Sequence, residues 1–258
     1  MQALALKLIM TPVLIAAASL AGRRWGPSVG GWLIGLPFTS GPIVFFLTLT
    51  NGVAFAAAAA RGTLAGTLSQ VLFCLAYGWS AARWRWPGAL AAACLGFVAA
   101  TIALQRLTLP AAWLFALVVF VLALALRLMP RYAAMDVPRA APPRWDLPAR
   151  MVVATTFVLL LTASAAALGP QLTGLLAPFP LYGTILAVFA HRQQGPAAAV
   201  GVLRGLLLGL FAFACFFLAL AELFDPAGVG LAFGAALAAA LAVQGISLWT
   251  LRRPNSPR

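Results

Sequence analysis

Acidic side chains are nearly missing from this chain: Asp and Glu together number 4 in 258 residues, against 17 Lys and Arg and a single His. The four acids, Asp136, Asp146, Glu222 and Asp225, all fall outside the long apolar runs. Paired-carboxylate catalysis, and proton relays through membrane-embedded Asp or Glu, both need acids that this sequence does not place in its apolar segments. The 3 cysteines, Cys74, Cys94 and Cys215, lie singly inside apolar runs and match no metal or redox spacing, so they read as small buried hydrophobes. No glycine loop is followed by a phosphate-binding lysine, and no Ser/His/Asp set can be assembled. No metal, cofactor or catalytic residue is therefore expected. A membrane-embedded enzyme built on Tyr182, Ser40 or His191 is the one catalytic alternative.

What the chain has in abundance is apolar sequence: 64% of residues are hydrophobic and 8% charged, and the mean hydropathy is +1.01. A soluble core does not need that much; apolar runs of about twenty residues are what a bilayer demands. Nine such runs stand between turn signals, near residues 4–22, 30–50, 54–80, 88–105, 111–129, 151–168, 171–190, 196–221 and 228–251. The first run, with Lys7 ahead of it, resembles a secretory signal, but Arg23-Arg24 follows it as a stop-transfer flank would.

The net charge of +13 would suggest nucleic acid in a soluble protein. Here the basic residues lie between apolar runs, where they act as topology signals and contacts for anionic lipid head groups, and no nucleic-acid partner is expected. With nine spans, one face collects Arg23, Arg24, Arg83, Arg85, Arg127, Arg131, Arg139, Arg144, Arg150, Arg192, Arg252, Arg253 and Arg258. The other face keeps only Lys7 and Arg106, with Glu222 and Asp225. The positive-inside rule makes the first face cytoplasmic, with the N-terminus outside and the C-terminus inside. Trp79, Trp84, Trp86, Trp145 and Trp249 cluster towards that same face, as interfacial aromatics do.

The sequence also matches itself at an offset of 143. Gly26-Pro27 falls on Gly169-Pro170, Gly31 on Gly174, Pro37 on Pro180, Gly52 on Gly195, Arg61-Gly62 on Arg204-Gly205 and Gly66 on Gly209. Composition alone gives about two such coincidences over the overlap. The expected architecture is an all-α, polytopic integral membrane protein with two repeats of five and four spans. Residues 1–129 form the first repeat, 130–149 a cytoplasmic Pro/Arg-rich linker, 150–251 the second repeat and 252–258 a basic cytoplasmic tail. Equivalent spans are an odd number apart, so the repeats have inverted topology, which is common in secondary transporters.

Two features of the repeats bear on binding. The second and seventh runs are interrupted at equivalent places, by Pro37, Thr39, Ser40, Gly41 and Pro42 in one and by Pro178, Pro180, Tyr182, Gly183 and Thr184 in the other. Proline removes a backbone donor and breaks the helical ladder, and broken helices at matching positions are the best sequence pointer to a transport site. The plainer reading is two kinked packing helices. Second, Arg61 and Arg204 each lie nine residues past an equivalent glycine, roughly 12 Å into a span at the helical rise. Charged at any physiological pH and lacking acidic partners, they are expected to converge on an aqueous middle and bind an anion; the alternative is snorkelling to the head groups. His191 is the one group near the apolar runs that titrates around neutrality, and stands as a proton site or an ordinary boundary residue. Gly62, Gly66, Gly201, Gly205 and Gly209 form small-residue ladders for close helix packing.

The stretch Gly174-Leu175-Leu176-Ala177-Pro178-Phe179-Pro180, with Gly195 downstream, resembles the small GlpM-type bacterial inner-membrane proteins. The likeness covers about fifty residues of spans seven and eight, and weakens in the first repeat, where no Phe precedes Pro37. It implies inner-membrane placement and carries over no functional residue. The expectation is a permease for a small anionic or phosphate-bearing solute or lipid, in the bilayer of a bacterial inner membrane, with a homodimer as an allowed assembly. The alternative is a non-transporting scaffold that uses its glycine ladders and basic face.

Overall fold

The computed structural model describes residues 35–130, 132 and 145–252, with isolated positions 8, 9, 12, 13, 16, 20, 24, 32 and 33 ahead of them. Most of the predicted first span at 4–22, Gly26, Pro27, Gly30 and Gly31, most of the linker at 130–149 and the tail beyond 252 lie outside the described residues. Among the described residues every regular element is helical: α1 (Ser40–Asn51), α2 (Val53–Ser80), α3 (Trp86–Leu104), α4 (Ala111–Leu128), α5 (Asp146–Leu176), α6 (Leu181–Gln194) and α7 (Pro196–Arg252).

Among the described residues four helical stretches are long and apolar enough to cross a membrane: Trp86–Leu104, Ala111–Leu128, Leu147–Leu176 and Pro196–Ser247. α3 and α4 turn large apolar side chains outward, including Leu95, Ile102, Trp113 and Phe120. In water such a surface would aggregate; hydrocarbon tails solvate it without penalty. α2 has the opposite character. It contacts α1, α3, α4, α5 and α7, and it buries Thr63, Thr67, Ser69 and Gln70 alongside Phe73 and Tyr77. Its threonines return their hydroxyls to carbonyls one turn earlier, Thr63 to Ala59 at 2.9 Å and Thr67 to Thr63 at 3.3 Å. The hydroxyls of Thr63 and Thr67 are thus satisfied by protein inside the bundle.

Glycines set the corners. Gly52 (φ 88°, ψ 168°) separates α1 from α2, and Gly195 (φ 86°, ψ −178°) separates α6 from α7. These two residues lie 143 apart and share a backbone conformation that is essentially restricted to glycine. Gly169 (φ 74°) divides α5 ahead of Pro170, and Gly228 (φ 73°) divides α7 after Pro226. The predicted boundary between runs eight and nine therefore falls at a glycine corner, with Glu222 and Asp225 exposed just before it. The runs at 30–50 and 171–190 are interrupted as expected. Residues 35–39 and 177–180 are irregular, leaving α1 at 12 residues and α6 at 14. At 1.5 Å per residue neither reaches across the roughly 30 Å of hydrocarbon by itself.

The two interruptions exchange contacts with the other half of the chain. A Cβ on Gly35 would run into the backbone of Gly209, and one on Gly66 would meet the Pro178 ring at 2.6 Å and the Leu175 carbonyl at 2.7 Å. Position 35 corresponds to 178 and position 66 to 209, so these are the same contact made twice, with the halves swapped. Around them, Phe179 packs edge-on to Phe97 of α3 at 5.2 Å, while Phe45 of α1 packs edge-on to Phe233 of α7 at 5.6 Å. Gln244 Nε2 donates to the Trp32 carbonyl at 2.8 Å, and Trp32 Nε1 to Ser247 Oγ at 3.0 Å.

Candidate functional site

The two broken segments meet. Breaking the helix at Pro178–Pro180 frees carbonyls: the Leu181 amide donates to Phe179 at 2.8 Å and so does not reach the Ala177 oxygen. Ser40, at the start of α1, donates its hydroxyl to that Ala177 carbonyl at 2.8 Å while fully enclosed. One break thus satisfies the other, which is how irregular backbone survives inside a membrane protein.

A cavity of about 20 Å³ lies at this meeting point, room for about one water molecule. Its walls come in equivalent pairs at the 143 offset: Leu36 with Phe179, Thr39 with Tyr182, and Gln70 of α2 with Phe213 of α7. Ser40, Pro178, Pro180 and Leu181 complete it. The first turns of α1 and α6 both line this space, so two positive helix ends face it. Neither N-cap residue, Thr39 or Pro180, puts a side chain over the first-turn N–H groups. Gln70 is 4% exposed and its Oε1 has no hydrogen-bond partner. No charged side chain lines the cavity.

Of the residues singled out from sequence, Thr39, Ser40, Pro178, Pro180 and Tyr182 line this space. Pro37, Gly41, Pro42, Gly183 and Thr184 belong to the same two segments without lining it. Gly41 and Pro42 are buried in the first turn of α1, with the Phe216 ring 3.6 Å from where a Gly41 Cβ would be. Gly183 sits under Leu206, and Thr184 donates its backbone amide to Pro180 at 2.7 Å.

The arginines are elsewhere. Arg61 is exposed, and Arg204, half-buried, donates from Nη1 to the Met129 carbonyl at 3.2 Å, at the C-terminal end of α4. A cation at a helix C-terminus is a favourable structural contact. Neither guanidinium group lines the cavity, and the reason is angular. Gly62, next to Arg61, packs on the Gln171 carbonyl 2.6 Å from its would-be Cβ, and one residue along a helix turns the side chain by about 100°. The same step carries Arg204 off the buried face of Gly205.

His191 also lies outside the cavity; its Nδ1 is 3.2 Å from the hydroxyl of the buried Tyr77. Among the ladder glycines, Gly62, Gly66 and Gly209 make close contacts, and Gly205 is buried. Gly201 differs from the expectation: a Cβ there would meet nothing within 4 Å. Sequence reasoning missed Gln70. Its signal was present, as an amide in the middle of the third apolar run, a type of residue that is costly there unless it binds something.

Comparison with family models, with curated proteins and with solved structures finds no match to this chain.

Proposed function

We propose that this chain is a transporter for a small anionic solute, working by alternating access between two inverted repeats of five and four spans. The observation that carries the reading is the cavity where both broken segments meet, walled by residue pairs at the 143 offset. A substrate held there is released to one side or the other as the halves exchange conformations. The swapped contacts Gly35–Gly209 and Gly66–Pro178 support the same reading, since equivalent surfaces docking reciprocally are what a two-fold relation produces. Short α1 and α6, entered through irregular backbone, match the discontinuous helices of such carriers. Among the described residues the cavity lining holds no carboxylate, which favours an anion. We place the chain in a bacterial inner membrane with the C-terminus cytoplasmic, on the arginine asymmetry and on the GlpM-type likeness of residues 174–180.

A test that needs no knowledge of the solute uses Thr39→Cys in a background with Cys74, Cys94 and Cys215 replaced. In oriented vesicles, an impermeant thiol reagent should label position 39 from either side, and a label on one side should compete with the other. Labelling from neither side would return the chain to the scaffold reading.

A further inference from the structure

The geometry points to a halide-sized anion as the ligand of this cavity, held between the N-terminal turns of α1 and α6 and the carboxamide of Gln70. The inference deepens the transport reading by naming its substrate class, and rests on that reading only for movement across the membrane. Three observations meet at one place. α1 and α6, of 12 and 14 residues, bring their first turns to the same space, each end equivalent to roughly half a positive charge. Gln70 reaches the space from α2 with 4% of its surface exposed and an amide oxygen that bonds nothing. The volume, about 20 Å³, suits a water-sized ion.

The Gln70 amide is what turns two helix ends into a site. A buried amide oxygen without a partner is costly, and a half-turn about the terminal bond exchanges it for an N–H without breaking any bond to that oxygen. In that orientation the amide becomes a third donor for the anion, complementing the two helix ends. A cation at the same point would face both positive ends with no carboxylate to hold it. An anion removed from water needs compensation from its surroundings; the Gly41 amide is already given to Pro37 and the Leu181 amide to Phe179, so what the two helix ends offer it is chiefly their dipole.

The test uses the full chain, first in detergent and then in proteoliposomes. Thermal unfolding is followed while sodium fluoride or sodium chloride replaces sodium gluconate at constant ionic strength. Expected is a saturable, halide-specific rise in Tm. Gln70→Glu should weaken the apparent affinity by about tenfold or more, since a charge-assisted bond is exchanged for repulsion. Gln70→Asn should keep part of the affinity, and Gln171→Leu, outside the cavity, should keep all of it. Gln70→Leu replaces Gln70→Glu if the latter does not fold. A Tm that responds equally to gluconate, or a halide response unchanged by Gln70→Glu and Gln70→Leu, overturns the inference. Halide flux lost in Gln70→Glu supports both site and carrier. A Gln70-dependent Tm response without halide flux, with position 39 sealed from both sides, keeps the site and removes the carrier. Flux of an uncharged solute without any halide response keeps the carrier and removes the site.

Discussion

The two broken segments have one backbone plan and two chemistries. Each is an irregular stretch at equivalent positions, 35–39 and 177–180, followed by a short helix that ends one residue before a positive-φ glycine. Each presses on a glycine of the other half. Around the cavity, however, the first half supplies Thr39, Ser40 and Gln70, where the second supplies Tyr182 and Phe213, and Gly183, the counterpart of Ser40, does not line it. The positions related by the 143 offset share a backbone shape, whereas the side chains they place around the cavity differ. A solute between them meets amide and hydroxyl groups from one half and rings from the other.

Replacing the glycines strikes the shared plan hardest. Gly209→Leu drives a side chain into the Gly35 backbone, which has no flexible end to give way, and should destabilise by more than about 3 kcal/mol, read as failure to purify as a monodisperse species. Gly66→Leu should do comparable damage through Leu175 and Pro178. If one is tolerated, the two contacts are not equivalent. Next in size are the corners: Gly52→Ala and Gly195→Ala should each cost about 1–2 kcal/mol because an L side chain is strained there. Equal losses of Tm sharpen the correspondence, and a large inequality breaks it.

Smaller effects probe the divergence. Ser40→Ala removes the donor to a buried carbonyl and should cost about 1–3 kcal/mol, whereas Gly183→Ser at the equivalent position, beneath Leu206, should bring no compensating gain; thermal scans of the two variants compare them. Arg204→Gln should lower stability by about 1 kcal/mol or less by freeing the end of α4, and Arg61→Gln should leave Tm unchanged. Loss of flux in Arg61→Gln with normal folding would restore this exposed side chain to the solute path. Least of all, Gly201→Ala should be neutral or stabilise by up to about 1 kcal/mol through helix propensity, in contrast to Gly209→Ala.

Much of this was legible from residues alone. Pro37 and Pro180 marked the breaks because a missing N–H interrupts a ladder wherever it occurs. Gly52, Gly169 and Gly195 stand at matched or paired positions of the 143 offset, in the gaps between apolar runs. For Arg61 and Arg204 the sequence gives depth along a helix but not direction around it. Gln70 carries no such mark, since it is uncharged and α2 is unbroken there. Gly201 shared the spacing of Gly205 and Gly209 but faces nothing.

The amino-acid order determined, on its own, the apolar class of the chain, the places where helices stop and the internal correspondence at 143 residues. These depend on local backbone chemistry and on composition. Only the tertiary structure decided which faces turn inward, that the two breaks share one cavity, and that Gln70 in place of the arginines reaches it. The physical reason is that lipid tails are as apolar as a protein interior, so hydrophobic periodicity does not separate the inner face of a membrane helix from its outer one.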